Sequence, residues 1–339
     1  MKNVGIIGCG LILPMHMESL KNIEDIKITA ICDTDAAAAR RAAIGIDCKI
    51  YTDYKEMIVN EQLDVVHILT PHYLHAPMAI FAADHGVNIL TEKPMATTEA
   101  DALAMIEAAK KNNVTLGVIF QNRYNEGAIA VKDAVSSGKL GKILGARFRV
   151  SWYRNADYYN QAEWRGKWDT EGGGVLINQA IHTLDLTNWI IDDEPEFVSA
   201  SIANRTLKGV IEVEDEASGY IRYKSGIPVN FSVCNYYVPW SDVEVEIGCE
   251  NGKAIITGRC AVIKFNDGKT LNVSTNPKNS DSTIGKGYWG NKHYTQIKQY
   301  YDSLSKNVLP DITGEEAYKT HKVLYAIYKS GRENVDVSL

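Results

Sequence analysis

From residue 2 to residue 120 short apolar runs alternate with helically patterned stretches. Residues 2 to 8 read as a buried strand, and further strands are predicted at Ile26–Cys32, Leu63–Leu69, Val87–Leu90 and Thr115–Phe120. Between them, Ala36–Ala43, Ala76–His85 and Glu99–Lys111 carry the helical pattern. Strands alternating with helices predict a parallel, doubly wound sheet. Beyond residue 123 the pattern changes. A helix is expected to about Ser137, closed by Gly138 and Gly141. Ile143–Trp152 then alternates, with Phe148, Val150 and Trp152 on one side. From Pro195 to Val273 the chain reads as nearly all strand, including Ala217–Tyr223, Ile227–Tyr236, Val243–Cys249 and Ala261–Phe265. Lys224-Ser225-Gly226, Glu250-Asn251-Gly252 and Asn266-Asp267-Gly268 are hairpin-type turns between them. Residues 274–290, rich in Ser, Asn, Lys and Gly, read as a long mobile loop, and two helices are expected at about 291–306 and 314–330. The expectation is an α/β chain: a doubly wound domain at 1–122, then an α/β domain with an open antiparallel sheet at 123–339. Such a sheet covers one face with helices, and a homo-oligomer, a dimer or tetramer, would cover the other.

The candidate chemistry begins after the first strand. Gly8-Cys9-Gly10-Leu11-Ile12 makes most of a GxGxxG turn into a helix. Its glycines permit a tight turn and let backbone amides approach a pyrophosphate at the helix amino terminus. Leu13 fills the third small position, a departure from the pattern. The second strand ends in Asp33, whose carboxylate suits the ribose hydroxyls of NAD and repels the 2′-phosphate of NADP. The plainer role for Asp33 is a strand-end turn or helix cap. Ligands on a doubly wound sheet bind at the carboxyl ends of strands. Two polar clusters fall there, Thr70-Pro71-His72-Tyr73-Leu74-His75 and Thr91-Glu92-Lys93-Pro94. Thr70, Pro71, His75, Glu92 and Lys93 are therefore candidate cofactor contacts.

In the second half the centre is Gly172-Gly173-Gly174, followed at once by an amphipathic helix. Asn178, His182 and Asp185 fall at i, i+4 and i+7 on it and so share a face. Such a stripe is either an ordinary surface or a side chain set entering a pocket. The preceding segment holds Tyr153, Arg154, Tyr158, Tyr159, Trp164, Arg165 and Trp168. Rings stack on the C–H face of a sugar while its hydroxyls take fixed hydrogen bonds, though aromatics also pin loops to cores. Arg123, Tyr153, Trp164 and Arg165 are candidates for positioning a substrate ring or the nicotinamide.

Composition narrows the classes. At 339 residues there is room for two cores, and 45% hydrophobic with 23% charged residues is the balance of a soluble globular protein. A net charge of -6 leaves no footprint for nucleic acid, and no run is basic or apolar enough to suggest a membrane. The amino terminus lacks a signal-peptide pattern, and the six cysteines form no CxxC pair, so a reducing cytoplasm is expected. No histidine and carboxylate group has metal-ligand spacing, so no metal is expected, and His16, His67, His72, His85 and His293 are assigned to packing or capping.

Taken in order, Gly8-x-Gly10, Asp33, Thr70-Pro71-x-x-x-His75, Glu92-Lys93-Pro94 and Gly172-Gly173-Gly174…His182-x-x-Asp185 resemble the Gfo/Idh/MocA family of nicotinamide-dependent oxidoreductases. The resemblance extends to Gly290-Asn-Lys-His293-Tyr-Thr-Gln-Ile and Ala326-Ile-Tyr-Lys-Ser330. It implies a Rossmann domain, a second domain whose open sheet often serves oligomer contacts, NAD as cofactor, and a lysine, an aspartate and a histidine around the reacting hydroxyl. Lys93 and His182 match two of these, and Asn178 stands where the aspartate would be. An amide cannot accept a proton as a carboxylate does. The implied reaction is reversible oxidation of a secondary alcohol on a sugar, glycoside or cyclic polyol. His182 would act as base, oriented by Asn178 or Asp185, with Lys93 hydrogen-bonded to the oxygen. A redox-neutral NAD-dependent glycoside hydrolase and a non-catalytic dinucleotide sensor are the alternatives.

Overall fold

The computed structural model describes residues 1–237, 241–274 and 292–339. The first compact unit comprises Met1–Gln121 and the described part of Asp281–Tyr318. Its leading elements are β1 (Lys2–Ile7), α1 (Leu13–Lys21), β2 (Ile26–Cys32), α2 (Ala36–Ala42), β3 (Lys49–Tyr51), α3 (Tyr54–Asn60), β4 (Val65–Ile68), α4 (His75–Asp84), β5 (Asn88–Thr91), α5 (Glu99–Lys111) and β6 (Leu116–Val118). The six strands form one parallel sheet in the order β3-β2-β1-β4-β5-β6. The strand order reverses between β1 and β4, and that switch point is where such sheets bind ligands. Val4, Ile6, Val65, Val66 and Ile68 are wholly buried, as strands covered on both faces must be. Asp35, Asp53 and Thr98 start α2, α3 and α5 by accepting backbone N–H groups. The apolar pattern does not reveal β3 and α3: β3 is a three-residue edge strand with Ile50 exposed.

The second unit holds the described part of Asn122–Ser280 together with Lys319–Leu339. Here α6 (Glu126–Ser136) precedes β7 (Ile143–Ser151) and α7 (Ala156–Tyr159). A π-helical turn, Leu176–Ala180, leads into α8 (Ile181–Ile191). Next come β8 (Pro195–Ala203), β9 (Glu216–Tyr223), β10 (Pro228–Cys234), β11 (Glu244–Cys249), β12 (Gly252–Thr257), β13 (Cys260–Phe265) and β14 (Thr270–Val273). The chain then supplies α9 (His293–Lys306), α10 (Gly314–Glu333) and β15 (Val337–Ser338). The expected loop at 274–290 lies, from 275 on, outside the described residues.

Among the described residues nine strands make the second sheet, in the order β14-β13-β12-β11-β7-β10-β9-β8-β15. It is mixed rather than purely antiparallel, because β7 and β10 pair in parallel. The chain between them contains two helices and the β8 and β9 strands, long enough for the crossover that a parallel pair needs. Ala146, Phe148, Val150, Val229, Phe231 and Val233 bury one face, with the Phe148 and Phe231 rings stacked at 5.3 Å. The opposite face carries charge: Arg147 donates to Glu246 and Lys253 donates to Glu246 across neighbouring strands.

The first unit joins two separate stretches of chain, Met1–Gln121 and the described part of Asp281–Tyr318. The helix α9 belongs to the first unit, because Ile297, Tyr300 and Tyr301 are buried in the same core as Val4, Ile6 and Leu13. Gln296 also accepts from the Phe120 N–H and donates to the Val118 carbonyl, completing the edge of β6, where no seventh strand lies among the described residues. Among the described residues no helix is long and apolar enough to cross a membrane.

Candidate active site

In the first unit the glycine turn is shaped by close approach. Gly8 has φ +100°, and a Cβ there would meet the Leu69 carbonyl oxygen at 2.7 Å. At Gly10 the same test finds nothing within 4 Å, so the backbone lies open on that side. Leu11 is 80% exposed, and no side chain caps α1 at Ile12. No capping side chain therefore competes with a ligand for the backbone that opens α1. Leu13 is buried in the core, so the departure at the third small position is absorbed by packing. Asp33 accepts the Cys9 N–H at 2.7 Å on one oxygen and the Asp35 N–H at 2.9 Å on the other. Each oxygen keeps a second lone pair for a ribose hydroxyl. The cap of α2 is Asp35, which frees Asp33 from that role. Open backbone, an uncapped helix start and a carboxylate at the end of β2 fit a dinucleotide.

The next two strand ends are more buried than expected. His75 is wholly buried, with Nδ1 2.7 Å from the Pro94 carbonyl and Nε2 2.8 Å from the Thr70 carbonyl. It therefore sits between the two loops that carry Thr70, Pro71 and Lys93, and the ring, lowered by burial and so neutral, donates to one of the two carbonyls. Glu92 likewise turns inward. Its Oε1 lies 3.0 Å from His16 Nε2 and 3.2 Å from His293 Nε2, and its Oε2 accepts the Lys93 N–H at 3.3 Å. His16 Nδ1 is 2.8 Å from His67 Nδ1, and His67 Nε2 is 2.8 Å from the Tyr301 hydroxyl. One proton arrangement satisfies all of these with neutral rings: Tyr301 donates to His67, His67 to His16, and both His16 and His293 to the Glu92 carboxylate. Burial pushes the Glu92 carboxyl up, but the two ring N–H groups outweigh it and hold it well below the usual range. Burial lowers both His16 and His67, which keeps them neutral. His16, Glu92 and His293 nevertheless bring ligand atoms within 4.8 Å of one another, a grouping separate from the metal-ligand spacing sought along the sequence. Residues so far apart in sequence leave no spacing to read. Lys93 itself is half-buried, and the Lys93–Pro94 peptide is cis.

In the second unit conformation requires Gly172 and Gly173, and contact requires Gly173 and Gly174. Gly172 and Gly173 have φ +83° and +156°, and a Cβ on Gly173 would fall on the Tyr328 hydroxyl. One on Gly174 would fall on the Glu214 carbonyl oxygen. The Glu214 carboxylate accepts the Gly174 N–H at 2.9 Å, the Leu176 N–H at 3.0 Å and the Tyr328 hydroxyl at 3.0 Å, and so caps the helix start. The π-helical turn holds Asn178, so the simple i, i+4, i+7 register is displaced there. Asn178 and His182 are half-buried, but Asp185 is buried and taken. Arg123 binds it through Nε at 2.7 Å and Nη2 at 2.6 Å, and Thr320 donates to it at 3.0 Å. The candidate ligand-positioning Arg123 and the candidate orienter Asp185 are thus partners in a buried, bidentate pair.

The aromatic segment forms a stacked array. The Arg165 guanidinium lies 4.4 Å from the Tyr158 ring centroid and 4.9 Å from that of Trp164, and it donates to the Tyr158 hydroxyl. Tyr153 is exposed and bridges to Tyr236. One further residue carries no signal in the sequence. Glu171, wholly buried, accepts the Gly166 N–H and the Asn178 amide, both at 2.5 Å. It stands directly before the glycines, but nothing in local pattern separates it from a surface glutamate.

Comparison with known proteins agrees with this architecture. The family description GFO_IDH_MocA, "Oxidoreductase family, NAD-binding Rossmann fold", matches residues 2–120, and the "GFO/IDH/MocA C-terminal domain" matches residues 128–255. The chain is 25% identical to myo-inositol 2-dehydrogenase of Thermotoga maritima, over 99% of this chain and 98% of that protein. It is 28% identical to levoglucosan dehydrogenase of Pseudarthrobacter phenanthrenivorans, over 66% of this chain and 65% of the relative, just under two thirds of its length. Among solved structures, the WlbA dehydrogenase from Bordetella pertussis, in complex with NADH and UDP-GlcNAcA, superposes with a TM-score of 0.86 at 28% identity, covering 99% of this chain and 98% of that one. The chain belongs to the Gfo/Idh/MocA family of NAD-binding oxidoreductases.

Proposed function

We propose that this oxidoreductase oxidises, reversibly, a secondary alcohol of a sugar, glycoside or cyclic polyol. The observation that carries the reading is the turn at Gly8 and Gly10, open at Gly10 and flanked by Asp33 at the end of β2. NAD bound there supplies the hydride acceptor, and the Asp33 carboxylate disfavours the extra phosphate of NADP. His182 takes the hydroxyl proton. Lys93 donates a hydrogen bond to the substrate oxygen and stabilises the charge that develops on it. Asn178 holds a substrate hydroxyl, and the rings of Tyr153 and Trp164 with Arg165 offer the faces and donors a sugar needs. The relatives named for myo-inositol and levoglucosan support a polyol or anhydrosugar, and the complex with UDP-GlcNAcA supports a nucleotide sugar. A homo-oligomer in the cytoplasm, a dimer or a tetramer, belongs to the same proposal, since an open sheet of this size leaves one face without helices.

The test is a screen pairing NAD and NADP with inositols, hexoses, glycosides and nucleotide sugars, with sugar products analysed alongside NADH. NADH is expected with one substrate class, and Lys93→Met is expected to keep NAD binding while turnover falls by about a hundredfold or more. Normal turnover in that variant would remove Lys93 from the mechanism. Glycoside cleavage without NADH would replace the dehydrogenase by the redox-neutral hydrolase.

A further inference from the structure

A carboxylate with no exposure to water is costly unless its lone pairs are used. Glu171 is such a group, and its two oxygens have separate duties. Oε2 accepts the Gly166 N–H at 2.5 Å and so fixes the turn that follows Arg165. Oε1 accepts Asn178 Nδ2, also at 2.5 Å. The same amide nitrogen is 3.3 Å from the Tyr158 hydroxyl, which also takes hydrogen bonds from Arg165 Nη1 and, at 3.2 Å, Gln179 Nε2. Asn178 is half-buried, whereas Gln179 beside it is buried.

An ionised carboxylate only accepts, so it decides which way a neighbouring amide turns. The NH2 of Asn178 must face Glu171, and Oδ1 then occupies the opposite edge of the planar group. We infer that Glu171 is a positioning residue: it locks Asn178 with its oxygen towards the substrate, as a fixed acceptor for a substrate hydroxyl. Asparagine left to itself presents either edge. Held by Glu171, it presents one, and the preferred substrate is an alcohol with a second hydroxyl in reach of that oxygen. This inference rests on the proposed role of Asn178 at the alcohol site.

The charge can be moved between the two positions. In Glu171→Gln the side chain has one oxygen for two donors, so an NH2 is set against either the Gly166 N–H or the Asn178 amide. Asn178 relieves the second conflict by turning over, which withdraws its oxygen from the substrate. Glu171→Gln combined with Asn178→Asp restores the acceptor: one oxygen of the new carboxylate takes the NH2 of the introduced amide, and the other faces the substrate. Asn178→Asp alone sets two carboxylates in contact, and one of them must hold a proton.

The test measures kcat, KM and NAD affinity for the full-length wild type, both single variants and the double variant, with the best alcohol from the substrate screen. Glu171→Gln is expected to lose about tenfold or more in kcat/KM, the scale of one oriented hydrogen bond, with NAD affinity kept. The double variant is expected to recover to within about threefold of wild type, which a purely structural role for Glu171 would not allow. Asn178→Asp alone is expected to add an ionisation to the pH profile of kcat/KM. Wild-type kinetics in Glu171→Gln, or a double variant no better than Glu171→Gln, would overturn the inference. A second arm needs no substrate. Nitrogen-15 NMR of the Asn178 side-chain amide is expected to show a low-field NH2 proton in wild type that shifts upfield in Glu171→Gln. An unshifted signal refutes the orientation. If no alcohol is oxidised by wild type while the NMR shift appears, the functional reading fails and the orientation by Glu171 stands.

Discussion

Glu214 shows how much a single buried group can tie to pH. Burial pushes its carboxyl up to about 7, against the pull of the Leu176 and Gly174 N–H groups and the Tyr328 hydroxyl. The folded state therefore holds a proton that the unfolded chain releases near its ordinary value of 4.5. The resulting stability is complete below about pH 4.5, declines as pH rises and is lost as it passes about 7. Glu214→Gln removes that dependence. Melting curves of wild type and variant between pH 5 and 8 (roughly the window of this titration) are expected to converge at the acid end and separate towards neutral pH. Parallel curves would show that Glu214 does not titrate there. Residues with a motif around them were legible in the sequence. Asp33 follows a glycine turn at the spacing a ribose contact demands, and the structure leaves its lone pairs usable. Glu214 was not legible, because it acts on backbone that only the tertiary fold brings near, and Glu171 was not, because its partners Gly166 and Asn178 lie close in sequence but at no spacing that a regular element marks. For the same reason Arg123 reads as a ligand contact in the sequence, since its partner Asp185 is distant along the chain.

At the scale of an element, the start of the π-helical turn and α8 is fixed by space. A methyl group on Gly174 would sit within the radius of the Glu214 carbonyl oxygen, which is backbone and cannot swing away. Gly174→Ala is therefore expected to cost more than the ~1–3 kcal/mol of ordinary overpacking, and to displace the Asn178 turn. Chemical denaturation, with near-ultraviolet circular dichroism for the aromatic array, checks both. A variant within ~0.5 kcal/mol of wild type would mean that the helix start shifts freely. The glycine run is legible as the centre of the second unit, but only as a stop signal, whereas Gly173 and Gly174 are demanded by what packs on them. A uniform 3.6-residue period describes the helical face in the sequence. The inserted π-helical turn breaks that period between Asn178 and His182, and no propensity scale marks such an insertion. Most strands are visible because burial on both faces, or on alternate positions, writes itself into the sequence. The edge strand β3 has neither kind of burial.

For the whole molecule, the lesson lies in α9. Its amphipathic pattern is plain in the sequence, and its destination is not, since nothing local says that His293, Gln296 and Tyr301 serve residues 67, 92 and 120. A fragment of residues 1–121 lacks the Gln296 side chain at the edge of β6, the His293 ring on Glu92 and the Tyr301 hydroxyl on His67. Buried polar groups left without partners cost ~1–3 kcal/mol each, a large share of any domain's stability. The fragment is expected to be cleaved rapidly by a protease under conditions where the full chain resists, despite containing the whole parallel sheet. Equal resistance would show that α9 is dispensable.

That discontinuity also sets a timetable on the ribosome. The six strands of the parallel sheet emerge first, yet the helix that seals them is translated only after nearly all of the second sheet. At ~5–20 residues per second the interval is on the order of ten seconds, long compared with helix formation or collapse. Through that interval the nascent amino-terminal sheet is an exposed guest for chaperones, and translation speed across the second sheet governs how long it waits.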